Sequence, residues 1–311
     1  MAAITPASLG TKIEEEELGE VRTLWQDVWI QFRKHRGAMF GLGVLIFLVL
    51  FAVVGPWIYR IDPQFSDLTV LNQGPSADHW FGTDAIGRDM FAMMMAGGRI
   101  SIMVGFTAMF ISVVFGTTIG IVAGYFPMLD GPLMRVTDLF FALPILPLRL
   151  VVTLLFRDTL RSLMGPELGI FVMIVTVMGL LSWMSTARVV RGEVLAVKQA
   201  EFVTAAKSIG TRKRRILIRH IFPNVLGPVM VASAVGIANA IITESALSFL
   251  GLGFPSDFPT WGRLIFEARD YMRLYPLRLF WPGLAISLTV LSVNFIGDGL
   301  RDALDPRLRG K

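Results

Sequence analysis

Residues 187–224 read ARVVRGEVLAVKQAEFVTAAKSIGTRKRRILIRHIFPN, and their charge sets the layout of the whole chain. Between Arg188 and Arg219 stand nine basic side chains against two acids, Glu193 and Glu201. Charge-free apolar runs at 168–187 and 223–243 flank the stretch, each supplying the roughly 20 helical residues that cross a bilayer. Loops rich in Lys and Arg stay on the cytoplasmic side, so this one is expected there. Arg33, Lys34 and Arg36 before the first apolar run carry the same bias, as do Arg307, Arg309 and Lys311 near the C-terminus.

On either side of this loop, three more charge-free runs stand at 39–59, 101–129 and 279–297. A weaker run at 135–156 is interrupted by Asp138 and Arg149. Counting it gives six spans with both termini inside; omitting it would put the basic flank at 33–36 and the basic loop on opposite sides. The extracytoplasmic parts are then about 61–98, 157–167 and 251–278.

Composition agrees with an all-α membrane protein. The 311 residues are 54% hydrophobic and 17% charged, with a mean hydropathy of +0.62. The net charge of +5 sits beside apolar blocks rather than on a basic face interleaved with aromatics, which points to a membrane boundary and away from nucleic acid. With no cysteine there is no disulfide, thiolate metal site or thiol nucleophile, and His35, His79 and His220 do not make a multi-histidine centre. Residues 1–38, with Glu14, Glu15, Glu16, Glu17 and Glu20, read as a polar cytoplasmic lead with an interfacial helix near 24–32 and no targeting peptide.

Polar residues inside the spans are the first hint of function. Arg149 at mid-membrane is costly in lipid, so it either snorkels or pairs with an acid on a neighbouring helix, or it lines a translocation pathway. Asp138, Glu244, Asn294 and Asp298 pose the same question nearer span ends. Glu244, followed by Ser245, reads as a hydrogen-bond partner in helix packing. Gly116, Gly120 and Gly124, and Ala232, Ala234, Ala238 and Ala240, are small residues that let helix backbones approach, which marks packing and says nothing of cargo.

The basic loop has helical spacing in its first part, through Val194, Leu195, Val197, Phe202, Val203 and Ala206. Gly210 is a natural turn, and a second helix is expected over 211–222 before Pro223 opens the fifth span. Two short helices around a glycine fit either a docking knob for another protein or an amphipathic hairpin held by anionic membrane lipid.

The same stretch resembles the cytoplasmic signature loop of permease subunits of bacterial binding-protein-dependent ABC importers: Glu-Ala-Ala, three residues, Gly, nine residues, then a Pro-terminated apolar ending. Here it runs Thr204, Ala205, Ala206, Gly210, then His220, Ile221, Phe222 and Pro223, with Glu201 three residues ahead of Thr204, the residue at the usual Glu position. Thr204 in place of Glu, and the ending HIFP at 220–223 in place of a hydrophobic-x-Leu-Pro one, both resemble the peptide-transporter branch, and Arg219 to Asn224 follow that branch closely. HWFGTDAIGRDMF at 79–91, GGRISI at 97–102, TDLFFALP at 137–144, ESALSFLGLG at 244–253, TWG at 260–262 and NFIGDGLRDALDPRLRG at 294–310 also resemble the second-type permease of dipeptide, oligopeptide and nickel importers. The resemblance spans about residues 25–311.

That resemblance implies a six-helix type I importer permease fold in the bacterial inner (plasma) membrane. It divides the chain into a cytoplasmic segment 1–38, a first span with extracytoplasmic segment 39–100, a core 101–300 with coupling loop 188–223, and a cytoplasmic tail 301–311. It further implies a homologous sister permease, two cytoplasmic ATPases and an extracytoplasmic solute-binding protein as partners, with a peptide as cargo. No complete GxxxxGK[ST] loop is present, so ATP and Mg2+ are expected on partner subunits, and this chain holds no cofactor and is not itself an enzyme. The resemblance assigns ATPase coupling to Glu201, Thr204, Ala205, Ala206, Gly210, Arg219, Phe222 and Pro223. Arg149 and Asn294 are expected on the pathway. Gly82, Asp84, Gly87, Arg88 and Asp89 are expected to build loop architecture rather than a metal site, although His79 stands nearby. Glu244 is expected to be structural, and Asp298, Arg301 and Asp302, with Asp305 and Arg307, to form a charged cap. Nickel, an oligosaccharide or an opine are alternative cargoes, and a non-transporting scaffold is an alternative function.

Overall fold

The computed structural model describes residues 24–304, and every regular element in them is helical. The run Glu14 to Glu20, together with Asp305, Arg307, Arg309 and Lys311, lies outside the described residues. α1 (Leu24–Lys34) packs Val28 and Phe32 beside Ala303 and leaves Trp29 and Ile30 exposed. α2 (Arg36–Ile58) starts at His35, whose Nδ1 accepts the Ala38 N–H at 3.0 Å. α3 (Met90–Tyr125) begins eleven residues before the apolar run at 101, because Asp89 caps it by accepting the Ala92 N–H at 2.7 Å.

α4 (Pro127–Ala142) and α5 (Ile145–Met164) meet at an angle of 87°. The expected single helix over 135–156 is therefore broken at Leu143 and Pro144. Pro144 has no N–H and forces Leu143 into extended backbone, with ψ 140°. α6 (Pro166–Leu180) and α7 (Trp183–Val197) form one apolar unit interrupted at Leu181 and Ser182.

α8 (Glu201–Ser208) ends at Gly210, whose φ of +75° is the left-handed turn that glycine adopts without a Cβ penalty. α9 (Lys213–Ile216) does not end at Pro223. It passes through a π-helical turn, Leu217–Ile221, directly into α10 (Phe222–Phe249). The wide turn accommodates the Pro223 ring, and the Asn224 amide donates to the His220 carbonyl at 2.6 Å. α11 (Trp261–Ala268) and α12 (Leu277–Leu304) complete the chain.

Among the described residues, five units are long and apolar enough to cross a membrane: Arg36–Ile58, Met90–Tyr125, Pro166–Val197, Lys213–Phe249 and Leu277–Leu304. The α4/α5 pair passes the same test only when its two helices are taken together. The protein is thus all-α with five or six apolar membrane-spanning units. Phe47, Trp57 and Phe110 are well exposed on these helices, as suits side chains facing hydrocarbon.

The most extensive helix pairing joins α3 to α7. A Cβ on Gly116 would lie 2.7 Å from the Trp183 carbonyl oxygen, and one on Gly120 would lie 2.7 Å from that of Ala187. One on Gly124 would lie 3.0 Å from that of Arg191. These glycines set how closely the two backbones approach, and in lipid such close van der Waals packing replaces the hydrophobic drive.

Candidate functional site

Four neighbourhoods gather the polar residues singled out above. At the end of the molecule where α3 begins, residues 59–89 form a compact excursion. Asp84 accepts the backbone N–H groups of Ile86 and Arg88 at 2.9 and 2.8 Å and the Arg88 Nε–H at 2.7 Å. Arg88 continues to Glu267 on α11 at 2.7 Å. Burial pulls the Arg88 pKa down, but Asp84 and Glu267 outweigh it and hold the guanidinium above its ordinary value. Asp89, nearly buried, also accepts the Tyr59 hydroxyl at 2.8 Å and contacts His79 Nδ1 at 2.8 Å. Gly82 and Gly87 have φ of +78° and +81°, and a Cβ on Gly87 would overlap the Asp67 carbonyl oxygen at 1.9 Å. Among the described residues no group of three or more His, Asp or Glu side chains is placed to hold a metal ion.

Just inside this excursion, Glu244 is fully buried. It accepts hydrogen bonds from Ser101 of α3 at 3.2 Å and from Ser248 at 2.8 Å. Ser101 in turn accepts the Trp261 N–H at 3.1 Å. Glu244 therefore joins α3, α10 and the start of α11.

The third neighbourhood is a cavity of about 1060 Å³ lined by α5, α7 and α10 with parts of α3, α4 and α12. This is at the upper end of the roughly 300–1,000 Å³ typical of small-molecule sites. Its wall is mainly apolar, with Met109, Phe140, Met184 and Val235, and its polar groups include Arg149, Ser182, Glu193, Asn224, Asn239 and Thr243. Arg149, 8% exposed, donates to Ser182 Oγ at 2.7 Å, to the Leu181 carbonyl at 3.3 Å and to Thr243 Oγ1 at 3.3 Å. It is buried on the cavity wall rather than exposed, and among the described residues it pairs with no acid. Arg301 reaches the same cavity from α12, whereas Asn294 is exposed on α12 and is not part of the lining.

The fourth lies at the opposite end of α3. Val203 and Ala206 of α8 are buried with Val194, Ile216 and Ile221. Phe202, Ala205 and Ile209 face outward, Ile209 with 83% of its surface free. Glu201, Thr204, Gly210, Arg219, Phe222 and Pro223 are all exposed. Lys198 donates to the Tyr125 carbonyl at 2.8 Å, Arg191 grips Asp130 at 2.5 and 2.7 Å, and Arg188 reaches Asp138 at 2.5 Å. Asp302 lies 3.6 Å from His35, while Asp298 and Arg301 are exposed on the same last turns of α12.

The pairs Arg88–Glu267, Arg149–Ser182, Arg191–Asp130 and Ser101–Glu244 join residues far apart in the chain. Sequence spacing carries no signal for them. The break at Leu143 and Pro144 did leave one, the proline inside the apolar run.

A bundle of membrane-crossing helices that forms a half-open cavity with polar groups on its wall, and exposes a short surface helix ending at a glycine, suits a membrane transport subunit. Residues 116–310 match the family described as binding-protein-dependent transport system inner membrane component, and residues 23–75 match the N-terminal TM domain of oligopeptide transport permease C. The chain belongs to this family of binding-protein-dependent transport system inner membrane components. It is 37% identical over 305 residues to the oligopeptide transport system permease protein OppC of Bacillus subtilis (strain 168), covering 98% of this chain and 96% of that one. To the dipeptide transport system permease protein DppC of the same organism it is 42% identical, covering 91% and 86%. To the glutathione transport system permease protein GsiD of Escherichia coli O6:K15:H31 (strain 536 / UPEC) it is 38% identical, covering 94% and 93%.

Proposed function

We propose that this chain is one permease subunit of an ATP-driven importer that carries dipeptides or oligopeptides across the bacterial inner membrane. The observation that carries this reading is the agreement, over nearly its whole length, with relatives named for oligopeptide, dipeptide and glutathione transport. The cavity beside Arg149 is this subunit's share of the pathway, completed by a sister permease. A solute-binding protein delivers cargo at the end bearing residues 59–89, and two ATPases act at the end bearing α8.

Six crossings suit this role. The bond from Lys198 to the Tyr125 carbonyl sets the end of α3 and the end of α7 side by side. α6 and α7 together make one crossing between them, so the α4/α5 pair supplies the other, with α5 as its crossing arm. Both termini and the basic loop then fall on the cytoplasmic side, in line with the positive-inside bias.

α8 is the coupling helix in this reading. Its buried face, Val203 and Ala206, fastens it to α7 and α10, and the stripe Phe202, Ala205 and Ile209 enters a cleft on an ATPase. Glu201, Thr204 and Arg219 supply polar contacts at its edge. ATP-driven closure of the ATPase pair moves α8, and α7 and α10 carry that motion to the cavity they line.

Affinity purification from native membranes tests the assembly: one sister permease and two ATPase subunits are expected with this chain. Uptake of labelled di- and tripeptides by the reconstituted complex tests the cargo. Intact chain recovered repeatedly without those partners would sink the reading in favour of a scaffold. Uptake of nickel ions, an oligosaccharide or an opine but no peptide would reassign the cargo. The chain holds no cysteine, so single introduced cysteines at Gly74 and Gly210 report sidedness by labelling; six crossings put them on opposite faces, five on the same one, and accessibility of both from the same face would refute six crossings.

A further inference from the structure

We propose that Arg149 is an anion-binding subsite of the cavity that receives a carboxylate of the transported cargo. This rests on the reading of the cavity as the pathway and gives it a chemical preference.

The guanidinium is fixed on the cavity wall with only neutral partners. Its Nη atoms donate to two hydroxyls and one carbonyl, and its Nε is buried with no acceptor at all. None of the ion pairs among the described residues includes Arg149. The Leu181 carbonyl is at the C-terminal end of α6, where the helix dipole contributes a partial negative charge of about half a unit, too little to neutralise a full positive one. Among the described residues, Glu193 is the acid on the cavity wall. It stands eleven residues beyond Ser182 along α7, about 16 Å at 1.5 Å per residue, which is out of reach of direct pairing.

These bonds leave one Nη1 N–H of the guanidinium free, and a charge-assisted hydrogen bond from it to a carboxylate is strengthened by burial away from water. Asn239, exposed on the cavity wall one turn before Thr243, offers an amide on the same helix face. Every peptide with a free C-terminus carries the required group, and an acidic side chain carries the same chemistry. Arg149 also ties Ser182 and Thr243 together. A purely structural part would depress all cargoes equally, whereas an anion subsite changes their ratio.

The test uses the complete transporter in liposomes with its own solute-binding protein. Uptake is measured for Ala-Ala-Ala, its C-terminal amide, and Ala-Glu-Ala amide, with wild type, Arg149→Lys and Arg149→Gln. The binding protein is common to all assemblies, so its own preference cancels when the ratio of two cargoes is compared between variants. The expected result is that Arg149→Gln lowers the free-acid to amide ratio about tenfold relative to wild type, the magnitude of about 1.4 kcal/mol in binding. Arg149→Lys restores part of it. If the ratio of Ala-Glu-Ala amide to Ala-Ala-Ala amide falls instead, the carboxylate bound is a side chain and the subsite stands. Equal ratios in wild type and Arg149→Gln, with both assembled and taking up peptide, overturn the subsite and leave the peptide reading intact. An assembly that hydrolyses ATP with its binding protein but takes up none of the three peptides overturns both.

Discussion

The Ser101 hydroxyl lies 3.2 Å from Oε2 of Glu244, and both residues are fully buried although 143 positions separate them. Ser101 also accepts the Trp261 N–H, so a single hydroxyl links α3, α10 and α11. Replacing Glu244 by Gln keeps an acceptor and the shape of the side chain. Replacing it by Leu removes the acceptor of two buried hydroxyls, Ser101 and Ser248, at about 1–3 kcal/mol for each group left unsatisfied. Glu244→Leu is therefore expected to lower the melting temperature of the purified complex well below that of Glu244→Gln. Equal melting temperatures for the two would mean that the carboxyl does not fasten these helices.

What the sequence reveals of this architecture divides by range. The apolar runs, the glycine turn at Gly210 and the small-residue stripe on α3 are local patterns, and each coincides with a structural feature. Helix ends are less legible. α3 extends back to Asp89 because a buried carboxylate caps it there, and α10 runs through Pro223 because a π-helical turn absorbs the ring. The polar chemistry is the least legible. Whether Arg149 snorkels, pairs or lines a cavity depends on Ser182 and Thr243, more than 30 and 90 residues away. The motif at 79–91 marks a structured loop, but only the fold brings Glu267 to Arg88 and Tyr59 to Asp89.

Tyr59 gives the excursion at 59–89 a pH dependence whose sign is set by its surroundings. Burial, and then the hydrogen bond and charge of Asp89, raise its pKa above the ordinary 10.0. The unfolded chain therefore loses this proton first as pH rises. The stability that the neutral phenol contributes is fully present below the unfolded value and is lost as pH climbs toward the folded one. Between about pH 9 and about pH 11 the melting temperature of wild type is expected to fall more steeply than that of Tyr59→Phe. Tyrosinate absorbance offers a second readout. The signal missing from Tyr59→Phe is expected to titrate above 10.0, and a difference curve centred at or below that value would contradict the contact with Asp89.

Gly120 tests the approach of α3 to α7. A Cβ there would stand 2.7 Å from the Ala187 carbonyl oxygen and 2.7 Å from Val190 Cβ. The first obstacle is backbone, which cannot rotate aside, so α7 must shift as a body. Gly120→Val is expected to cost at least the 1–3 kcal/mol typical of overpacking, roughly, and to reduce recovery of the folded chain from membranes. Gly131, where a Cβ meets nothing within 4 Å, supplies the control in Gly131→Val. Equal recovery of the two variants would show that the helices are not in close contact at Gly120.

Gly210 separates the conformational role of the segment that follows α8 from the contact role proposed for it. Its φ of +75° penalises any side chain, yet a Cβ there would meet nothing within 4 Å of this chain. Inside the subunit, then, the penalty is backbone strain alone, about 1–2 kcal/mol for alanine and less for asparagine, which visits the left-handed region more readily. Gly210→Asn is expected to fold and insert nearly as well as wild type, with Gly210→Ala slightly worse. Gly210→Trp adds bulk on the exposed side, beside the Phe202, Ala205 and Ile209 stripe. If that side meets an ATPase, the tryptophan variant is expected to lose ATPase subunits on affinity purification and to lose peptide uptake, beyond anything seen with alanine. If Ala and Trp behave alike in both assays, only the turn matters at Gly210, and the ATPase docks elsewhere on the segment.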